Sequence, residues 1–394
     1  MRSQALAGLL RRIEQTGRIA SGQFPVFADP GSGEWTWSDD GAWSSGFWPG
    51  MLWLAEAATG EGRFAALAAE SAQRLRGRTG TPTVLRGFVF WYGAGIAAVL
   101  DPDRHAQAEL AIAAARSLAA GFDPAARLLP PGPQDARLYG WPRPGACIDG
   151  LPGTVPLLAF AADRTGEGRL RDIALAHARG HLALCMRADG SVAQSATYDH
   201  QGRLRGQASI EGSSRDSTWA RAQAWAMLGL AQAAHLSGAE FTQPAKRAAD
   251  WYLDHLPADG VCFWDFDDPA IPDAPRDTSA AAIAAAALLK LAAASDDQYR
   301  AAAEHILDAL AARHLAAHGG LRDGCYEQRN GLATSNELIW GDYFLLEALL
   351  ALDEVIGPAT LCPARVSHRP GRPAGVMTRA PACSGVTPFC AACD

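Results

Sequence analysis

The chain has 394 residues, of which 48% are hydrophobic and 20% are charged. This composition excludes a disordered, collagen-like or coiled-coil protein, and the length requires either two domains or one large closed architecture. The formal charge of -7 argues against nucleic acid as a partner, because phosphate backbones bind positive surfaces. The longest apolar runs fall short of the roughly 20 residues that a membrane span needs. We therefore expect no membrane association.

Residues 1–18 show the pattern of an amphipathic helix. Arg11, Arg12 and Glu14 interrupt the apolar positions, so the segment lacks the apolar stretch and small-residue cleavage site of a secretory signal. The eight cysteines are too few and too scattered for a disulfide framework. These features predict a cytoplasmic protein with reduced thiols.

Two kinds of helical segment alternate along the chain. Strongly apolar segments recur near six positions: Trp48, Phe90, Ile148, Thr218, Asp277 and Glu337. Segments with one apolar stripe and one charged face lie between them, at residues 61–76, 105–120, 167–185, 239–255 and 297–314, and the N-terminal helix makes a sixth. A helix that is apolar all round is buried, whereas a striped helix has one face in water. Six inner helices ringed by six outer helices predict an all-α (α/α)6 barrel over residues 1–356.

Two other segments complete the predicted organisation. Alternating runs near residues 191–198 and 261–264 indicate short hairpins in connecting loops. Residues 357–394 contain six prolines and four arginines without helical periodicity, which predicts a disordered or loosely attached tail. Cys390 and Cys393 form a CxxC pattern there, but no second pair or histidine completes a zinc site, and we predict no metal.

The twelve tryptophans have two interpretations. Indoles can fill a wide core, which we expect of three of them: Trp48, Trp53 and Trp251. Indole faces also stack on the C–H faces of sugar rings, as in a carbohydrate pocket. We assign that second role to Trp43, Trp219 and Trp225.

Asp149 is the candidate acid/base. It stands in ACIDGLPGTVPLLAF, just before a helix whose first turn would contain Pro152. An aspartate there could cap the helix by accepting hydrogen bonds from free N–H groups. At the mouth of a barrel of apolar helices, burial would also raise its pKa and let it act as a general acid near neutral pH.

Arg221 stands inside an apolar helix, one turn before Trp225. A guanidinium is rarely buried without an anionic partner. Arg221 could bind a substrate carboxylate bidentately, or it could pair with Asp149, Glu211 or Asp216. The residues alone leave these alternatives open.

Other polar residues carry less weight. Asp216 and Asp277 are typical of helix starts, and Asp342 is expected to brace neighbouring helices. Most histidines lie in the outer segments, including His177 and His181, so no buried pair with relay or metal-ligand spacing is predicted. Signatures such as GxGxxG are missing from the sequence, and we predict no cofactor.

Four segments resemble signature segments of glycoside hydrolase family 88, the unsaturated glucuronyl hydrolases: residues 43–60, 215–225, 277–285 and 339–349. The stretch STWARAQAW is the most specific of them. The resemblance implies an (α/α)6 barrel without a metal, acting in the cytoplasm on oligosaccharides that polysaccharide lyases release.

The resemblance also implies a mechanism, in which the C4=C5 double bond of a terminal unsaturated uronic acid is hydrated. One aspartate, matched by Asp149, protonates C4 and activates the water that adds at C5, and the resulting hemiketal collapses to release the neighbouring sugar. Trp43, Trp219 and Trp225 match pocket aromatics, and Arg221 matches a pocket base. The enol ether supplies an electron-rich carbon, so two opposed carboxyls are not required.

Several positions depart from the family pattern. Leu85 stands where the resemblance implies a second aspartate, and Gln194 where it implies a histidine. Ile210-Glu211-Gly212 replaces a His-Gln-Gly segment. Glu211 could supply part of the negative charge that Leu85 removes, and we include Glu211 among the substrate-binding residues.

These features favour a hydrolase that removes unsaturated uronic acids from a saccharide unlike the family's common substrates, and that is a monomer or a homodimer. One alternative is a carbohydrate-binding protein of the same fold without turnover. Another is a sugar epimerase, which would need a pair of buried acid/base groups. A third is a hydrolase of saturated glycosides, with Asp149 and Glu211 as the two opposed carboxyls.

Overall fold

The computed structural model describes residues 1–362, and these residues are mostly helical. The helices in chain order are α1 (Arg2–Ile19), α2 (Phe47–Thr59), α3 (Gly62–Arg74), α4 (Arg86–Phe90), α5 (Ile96–Leu100), α6 (His105–Ala119), α7 (Pro133–Tyr139), α8 (Thr154–Thr165), α9 (Gly168–Cys185), α10 (Ala220–Ser237), α11 (Ala239–His255), α12 (Thr278–Ala294), α13 (Gln298–Arg313) and α14 (Ile339–Leu352). A π-helical turn, Trp91–Gly95, joins α4 to α5, so that these two pieces form one inner helix.

The predicted (α/α)6 barrel is confirmed. The inner ring consists of α2, α4 with α5, α8, α10, α12 and α14, and the outer ring of α1, α3, α6, α9, α11 and α13. Burial separates the two rings as the sequence pattern requires. In α12 every residue from Thr278 to Leu291 is buried, whereas α3 buries a single stripe: Phe64, Ala65, Ala68, Ser71 and Ala72.

Two small antiparallel sheets lie among the connecting loops. The first has the order β2 (Trp35–Ser38), β1 (Phe24–Ala28), β6 (Glu337–Leu338), and the second has the order β3 (Gly145–Cys147), β4 (Ser195–Tyr198), β5 (Leu204–Ala208). The hairpin predicted near residues 191–198 is present as β4 and β5. The one predicted at residues 261–264 is reduced to an isolated bridge between Phe263 and Arg276.

The structure also tests smaller predictions about two aspartates, the cysteines and membrane-spanning helices. Asp277 caps α12 as predicted, because its side chain accepts hydrogen bonds from the main-chain N–H groups of Ser279 and Ala280. Asp342 is buried and accepts a hydrogen bond from the Leu321 N–H, which ties α14 to the preceding loop. The five cysteines among residues 1–362 are free thiols. No helix in that range has both the length and the apolar character that crossing a membrane requires.

The predicted tail falls almost wholly outside the described residues. Residues 357–362 follow the last inner helix, and Leu361 is buried there. Residues 363–394, with Cys390 and Cys393, are not described, so the tail stays a prediction.

Helices α4 and α8 approach each other closely at their N-terminal ends, beside the segments that carry Leu85 and Asp149. A Cβ added at Gly153 would lie 2.3 Å from the carbonyl carbon of Gly87, and one added at Gly87 would lie 2.5 Å from the nitrogen of Thr154. Such contacts leave no room for a side chain. The spacing of the two segments therefore depends on this pair of glycines.

We expect Gly153→Ala to lower the free energy of unfolding by about 1–3 kcal/mol, because the added methyl group overpacks a backbone contact. The melting temperature checks this. Gly168→Ala is the control, since a Cβ at Gly168 meets nothing within 4 Å. A melting temperature for Gly153→Ala equal to that of the wild type would contradict the close approach.

Candidate active site

A pocket opens at the end of the barrel where four inner helices begin. Its volume is about 210 Å³. The segments that precede or start α2, α4, α8 and α10 line it, together with loops from α7 and from the region before α14. All six residues proposed from the sequence are brought together here: Trp43, Asp149, Glu211, Trp219, Arg221 and Trp225. Their proximity makes this the candidate active site.

Aromatic rings form one wall of the pocket. The ring centroids of Trp43 and Trp225 lie 6.5 Å apart with the rings nearly perpendicular, and Phe88 packs 4.8 Å from Trp225. The Trp43 indole N–H donates a hydrogen bond to the Tyr326 hydroxyl at 3.3 Å. Trp219 and Trp225 are almost fully buried, whereas Trp43 is partly exposed. Trp43 therefore offers the most accessible indole face to a ligand.

The tryptophans expected in the core behave in two ways. Trp48 and Trp53 are buried within the barrel as predicted. Trp251 is partly exposed and stacks on His255, with ring centroids 3.9 Å apart.

Asp149 lies in a single 3-10 turn, Ile148–Gly150, which follows β3 directly. Its side chain is buried, and its Oδ1 has no hydrogen-bond partner in the described part of the chain. The alternative in which Asp149 caps α8 is wrong, because Gly153 occupies the cap position and no side chain caps the helix. The Asp149 carboxyl therefore does not cap α8.

The electrostatic surroundings keep a proton on Asp149. Burial raises its pKa well above the usual value, and the negative charge of Glu211 raises it further, while Arg221 and the Gln194 amide act in the opposite direction. Asp149 therefore retains its proton at pH values where an ordinary aspartate is ionised.

Glu211 is held at the pocket wall by Gln194. The Gln194 side-chain amide donates a hydrogen bond to the Glu211 carboxyl, and the Glu211 main-chain N–H donates to Gln194 Oε1 at 2.9 Å. Burial also raises the pKa of Glu211, opposed by Arg221. Asp149 and Glu211 are thus two of the three carboxyls that line the pocket in the part of the chain that the structure describes, Glu327 being the third, and the charge of Glu211 favours the protonated form of Asp149.

Arg221 pairs with an acid that the sequence analysis did not propose. Its Nη1 donates to Asp277 Oδ2 at 2.9 Å, and both residues are almost fully buried. Asp149, Glu211 and Asp216 are therefore wrong as its ion-pair partner. Sequence spacing hid the pair, because 56 residues separate Arg221 from Asp277.

Main-chain carbonyls complete the surroundings of Arg221. The guanidinium donates to the carbonyl oxygens of Cys325 and Tyr326, each at 2.6 Å, and its carbon lies 4.4 Å from the centroid of the Trp219 ring. Arg221 thereby joins α10 to α12 and to the loop before α14. Its position within the pocket is consequently rigid.

The sequence analysis missed about half of the residues that line the pocket. The residues added by the structure are Phe88, Leu138, Tyr139, Trp141, Tyr326, Glu327 and Leu332, and they join Leu85. Buried Asp135 accepts hydrogen bonds from the main-chain N–H groups of Val84 and Gly132, which ties the α7 segment to Leu85. The aromatic pair Tyr139 and Trp141, in the stretch YGW, was the sequence feature that could have indicated this part of the pocket.

The histidine prediction is wrong for His177 and His181. Both rings are fully buried, and their centroids lie 4.2 Å apart. They belong to an outer helix, α9, but stand on its inward stripe against the turn that carries Asp149. A charged pattern along an outer helix does not reveal which of its polar residues face inward.

The known proteins that this chain resembles are hydrolases of unsaturated saccharides. The unsaturated glucuronyl hydrolase of Bacillus sp. (strain GL1) is 32% identical over 372 residues, which cover 90% of this chain and 97% of that relative. The unsaturated chondroitin disaccharide hydrolase of Streptococcus pyogenes serotype M1 is 28% identical over 376 residues, covering 88% and 90% respectively. No protein-family model matches.

Solved structures agree with these relatives. The crystal structure of the Bacillus sp. GL1 unsaturated glucuronyl hydrolase, responsible for the degradation of glycosaminoglycan, has a TM-score of 0.83 at 30% identity. The match covers 90% of this chain and 97% of that one. The similarity therefore extends over nearly the whole barrel rather than one segment of it.

We expect Arg221→Met to lower the free energy of unfolding by about 3–5 kcal/mol, because it leaves the Asp277 carboxylate buried without its partner. The double variant Arg221→Met/Asp277→Asn should recover part of the loss, since asparagine still caps α12. Urea unfolding measures both.

Arg276→Met is the matched control for that experiment. It breaks a more exposed pair with Asp259, so it should cost only about 0–1 kcal/mol. Equal losses for Arg221→Met and Arg276→Met would contradict the buried ion pair.

Proposed function

This chain belongs to glycoside hydrolase family 88, the unsaturated glucuronyl hydrolases, and we propose that it removes a terminal 4,5-unsaturated uronic acid from lyase-generated oligosaccharides. We propose Asp149 as the general acid/base. One observation carries this proposal: a buried carboxyl with an unpartnered Oδ1 and a raised pKa lies in a pocket walled by indoles. Such a carboxyl can hold a proton for delivery at neutral pH.

The pocket lining supports a uronyl saccharide as the ligand. Aromatic faces suit the C–H faces of a sugar ring. Among residues 1–362, Arg221 is the one lysine or arginine side chain that lines the pocket, and it can attract the carboxylate of a uronic acid. The relatives named above are an unsaturated glucuronyl hydrolase and an unsaturated chondroitin disaccharide hydrolase, and their names support an unsaturated uronyl saccharide as the proposed substrate.

The proposed reaction begins with the proton of Asp149. Transfer of that proton to C4 of the enol ether leaves positive charge shared between C5 and the ring oxygen. A water molecule then adds to C5 through its oxygen. The Asp149 carboxylate accepts a proton from that water molecule, which regenerates the acid. The hemiketal at C5 collapses, the ring opens, and the neighbouring sugar leaves. One water molecule is consumed.

Glu211 has two tasks in this scheme. Burial raises the pKa of Asp149, and the negative charge of Glu211 raises it further before the proton transfer. The same charge stabilises the cationic transition state that follows, because it lies beside the carbon that becomes positive. Leu85 contributes no charge, so in this scheme Glu211 is the second carboxyl that acts on the reaction.

We expect Asp149→Asn to abolish turnover, with a fall of at least about 1000-fold in kcat, because the amide can neither give up a proton nor accept one. Loss of ultraviolet absorbance from the ene-carboxylate of an unsaturated chondroitin disaccharide measures the reaction. Asp216→Asn is the matched control, since Asp216 is exposed and does not line the pocket.

Retention of activity by Asp149→Asn would contradict the assigned acid/base. Sugar binding by the wild type without any turnover would instead favour the carbohydrate-binding alternative. A saturated glucuronide is tested beside the unsaturated disaccharide. Hydration needs the C4=C5 double bond, whereas direct hydrolysis by two opposed carboxyls does not, so the two rates distinguish the mechanisms. Cleavage of the saturated compound at a comparable rate would favour Asp149 and Glu211 as that pair.

We expect Glu211→Gln to move the alkaline limb of the kcat/KM profile to lower pH. Removing the negative charge lowers the pKa of Asp149, so the protonated acid is lost at a lower pH than in the wild type. Rates measured across the pH range with the same disaccharide test this. An alkaline limb that stays in place or moves upward would contradict the electrostatic role of Glu211.

A further inference from the structure

Two fully buried histidines lie behind the turn that carries Asp149. His177 and His181 are one turn apart on α9, and neither lines the pocket. Their rings therefore cannot touch a sugar bound there. Both nevertheless reach the main chain on either side of Asp149.

The hydrogen bonds of His177 fix its protonation. Its Nδ1 accepts the main-chain N–H of Leu129 at 3.0 Å, so the ring proton is on Nε2. Nε2 lies 3.1 Å from the carbonyl oxygen of Gly150 and donates to it. Burial lowers the pKa of His177 well below its usual value, which keeps the ring neutral. His177 thus connects the Leu129 segment to the residue that follows Asp149.

His181 contacts the residue on the other side of the turn. Its Nε2 lies 2.9 Å from the carbonyl oxygen of Cys147, and its Nδ1 lies 2.9 Å from that of His177. The His177 carbonyl already accepts a hydrogen bond from the N–H of residue 181 within the helix. A neutral ring can donate to one of these two carbonyls, and the positioning role proposed below uses the tautomer in which Nε2 donates to Cys147.

The Asp149 carboxyl is only partly oriented by side chains, because the Gln194 amide and the Cys147 thiol interact with it but one of its oxygens is unpartnered within the described residues. Its Oδ1 receives no hydrogen bond from residues 1–362. The direction of the carboxyl therefore also depends on the main chain from Cys147 to Gly150. That main chain is held by the two histidines on one side and, on the other, by the Ile148 N–H, which donates to the Gln194 carbonyl at 2.8 Å.

We propose that His177 and His181 are positioning residues for Asp149: their hydrogen bonds to the carbonyls of Gly150 and Cys147 hold the turn so that the carboxyl points at the reacting carbon. This rests on the proposed function of Asp149. A misplacement of about 1 Å can cost about 100-fold in rate. Binding should change much less, because the indoles and Arg221 stand on other segments.

The test replaces each histidine with leucine and with glutamine. Leucine removes the donor, whereas the glutamine amide can place an N–H near the position of Nε2. We expect His177→Leu and His181→Leu to lower kcat by about 10- to 100-fold with KM within about twofold, and the glutamine variants to recover most of the loss. The substrate is the unsaturated disaccharide that the wild type cleaves.

His235→Leu is the matched control. The Nε2 of His235 lies 2.8 Å from the carbonyl oxygen of Lys290, so the bond has the same chemistry but lies away from the pocket. Its loss should lower the melting temperature without changing kcat. A melting curve recorded for every variant separates positioning from a general loss of stability.

The outcomes are distinguishable. If Asp149→Asn is inactive but His177→Leu and His181→Leu keep the wild-type kcat, the positioning role is overturned and the proposed function stands. If Asp149→Asn is active, the proposed function itself fails. If the leucine variants do not fold, His181→Asn replaces them, because its shorter amide does not reach Cys147. Equal kcat for His181→Asn and His181→Gln would then overturn the proposal.

Discussion

The carboxyl of Asp149 is buried at one end of the barrel, and its Oδ1 has no hydrogen-bond partner within residues 1–362. A buried carboxyl with an unpartnered oxygen is more stable with its proton than without it, because burial outweighs the interactions with Gln194 and Cys147. The rest of the pocket is compatible with that state. Glu211 adds negative charge beside it, while the guanidinium of Arg221, which also lines the pocket, is engaged by Asp277 and two carbonyls. Burial of the carboxyl therefore keeps Asp149 protonated, and the same burial enables it to act as the proton donor of the proposed reaction.

The barrel supplies the burial and the rigidity that this arrangement needs. Inner helices bring the segments before α2, α4, α8 and α10 to one end, where single residues from distant parts of the chain meet. The Arg221–Asp277 pair joins two of these helices at 2.9 Å. Gly87 and Gly153 allow α4 and α8 to touch, which sets the distance between Leu85 and Asp149. Outer helix α9 supports the turn from behind.

Helical periodicity predicted the barrel, and tryptophan clustering predicted the indoles of the pocket, because both are local signals. Asp149 and Arg221 were found from their places at or inside apolar helices, and Glu211 was included because the resemblance implies a carboxyl that Leu85 does not supply. The sequence did not predict Asp277 as the partner of Arg221. It identifies Asp277 as a helix cap, and it does not show which distant side chain the same carboxylate contacts. It placed His177 and His181 among outer, charged positions, because periodicity separates faces of a helix but does not identify a buried polar residue that has a specific acceptor. The loop residues Trp141 and Leu332 lack any periodicity and were missed for that reason.

The most direct test of this account is an early-time proton NMR spectrum of the products formed in D2O. Delivery of the proton by Asp149 from one side of the pocket predicts one deuterium at C4, on a single face, with disappearance of the double bond as the leaving sugar is released. The Asp149→Asn variant should yield no product. Deuterium on both faces of C4, or release of the leaving sugar while the double bond persists, would contradict hydration by a positioned acid.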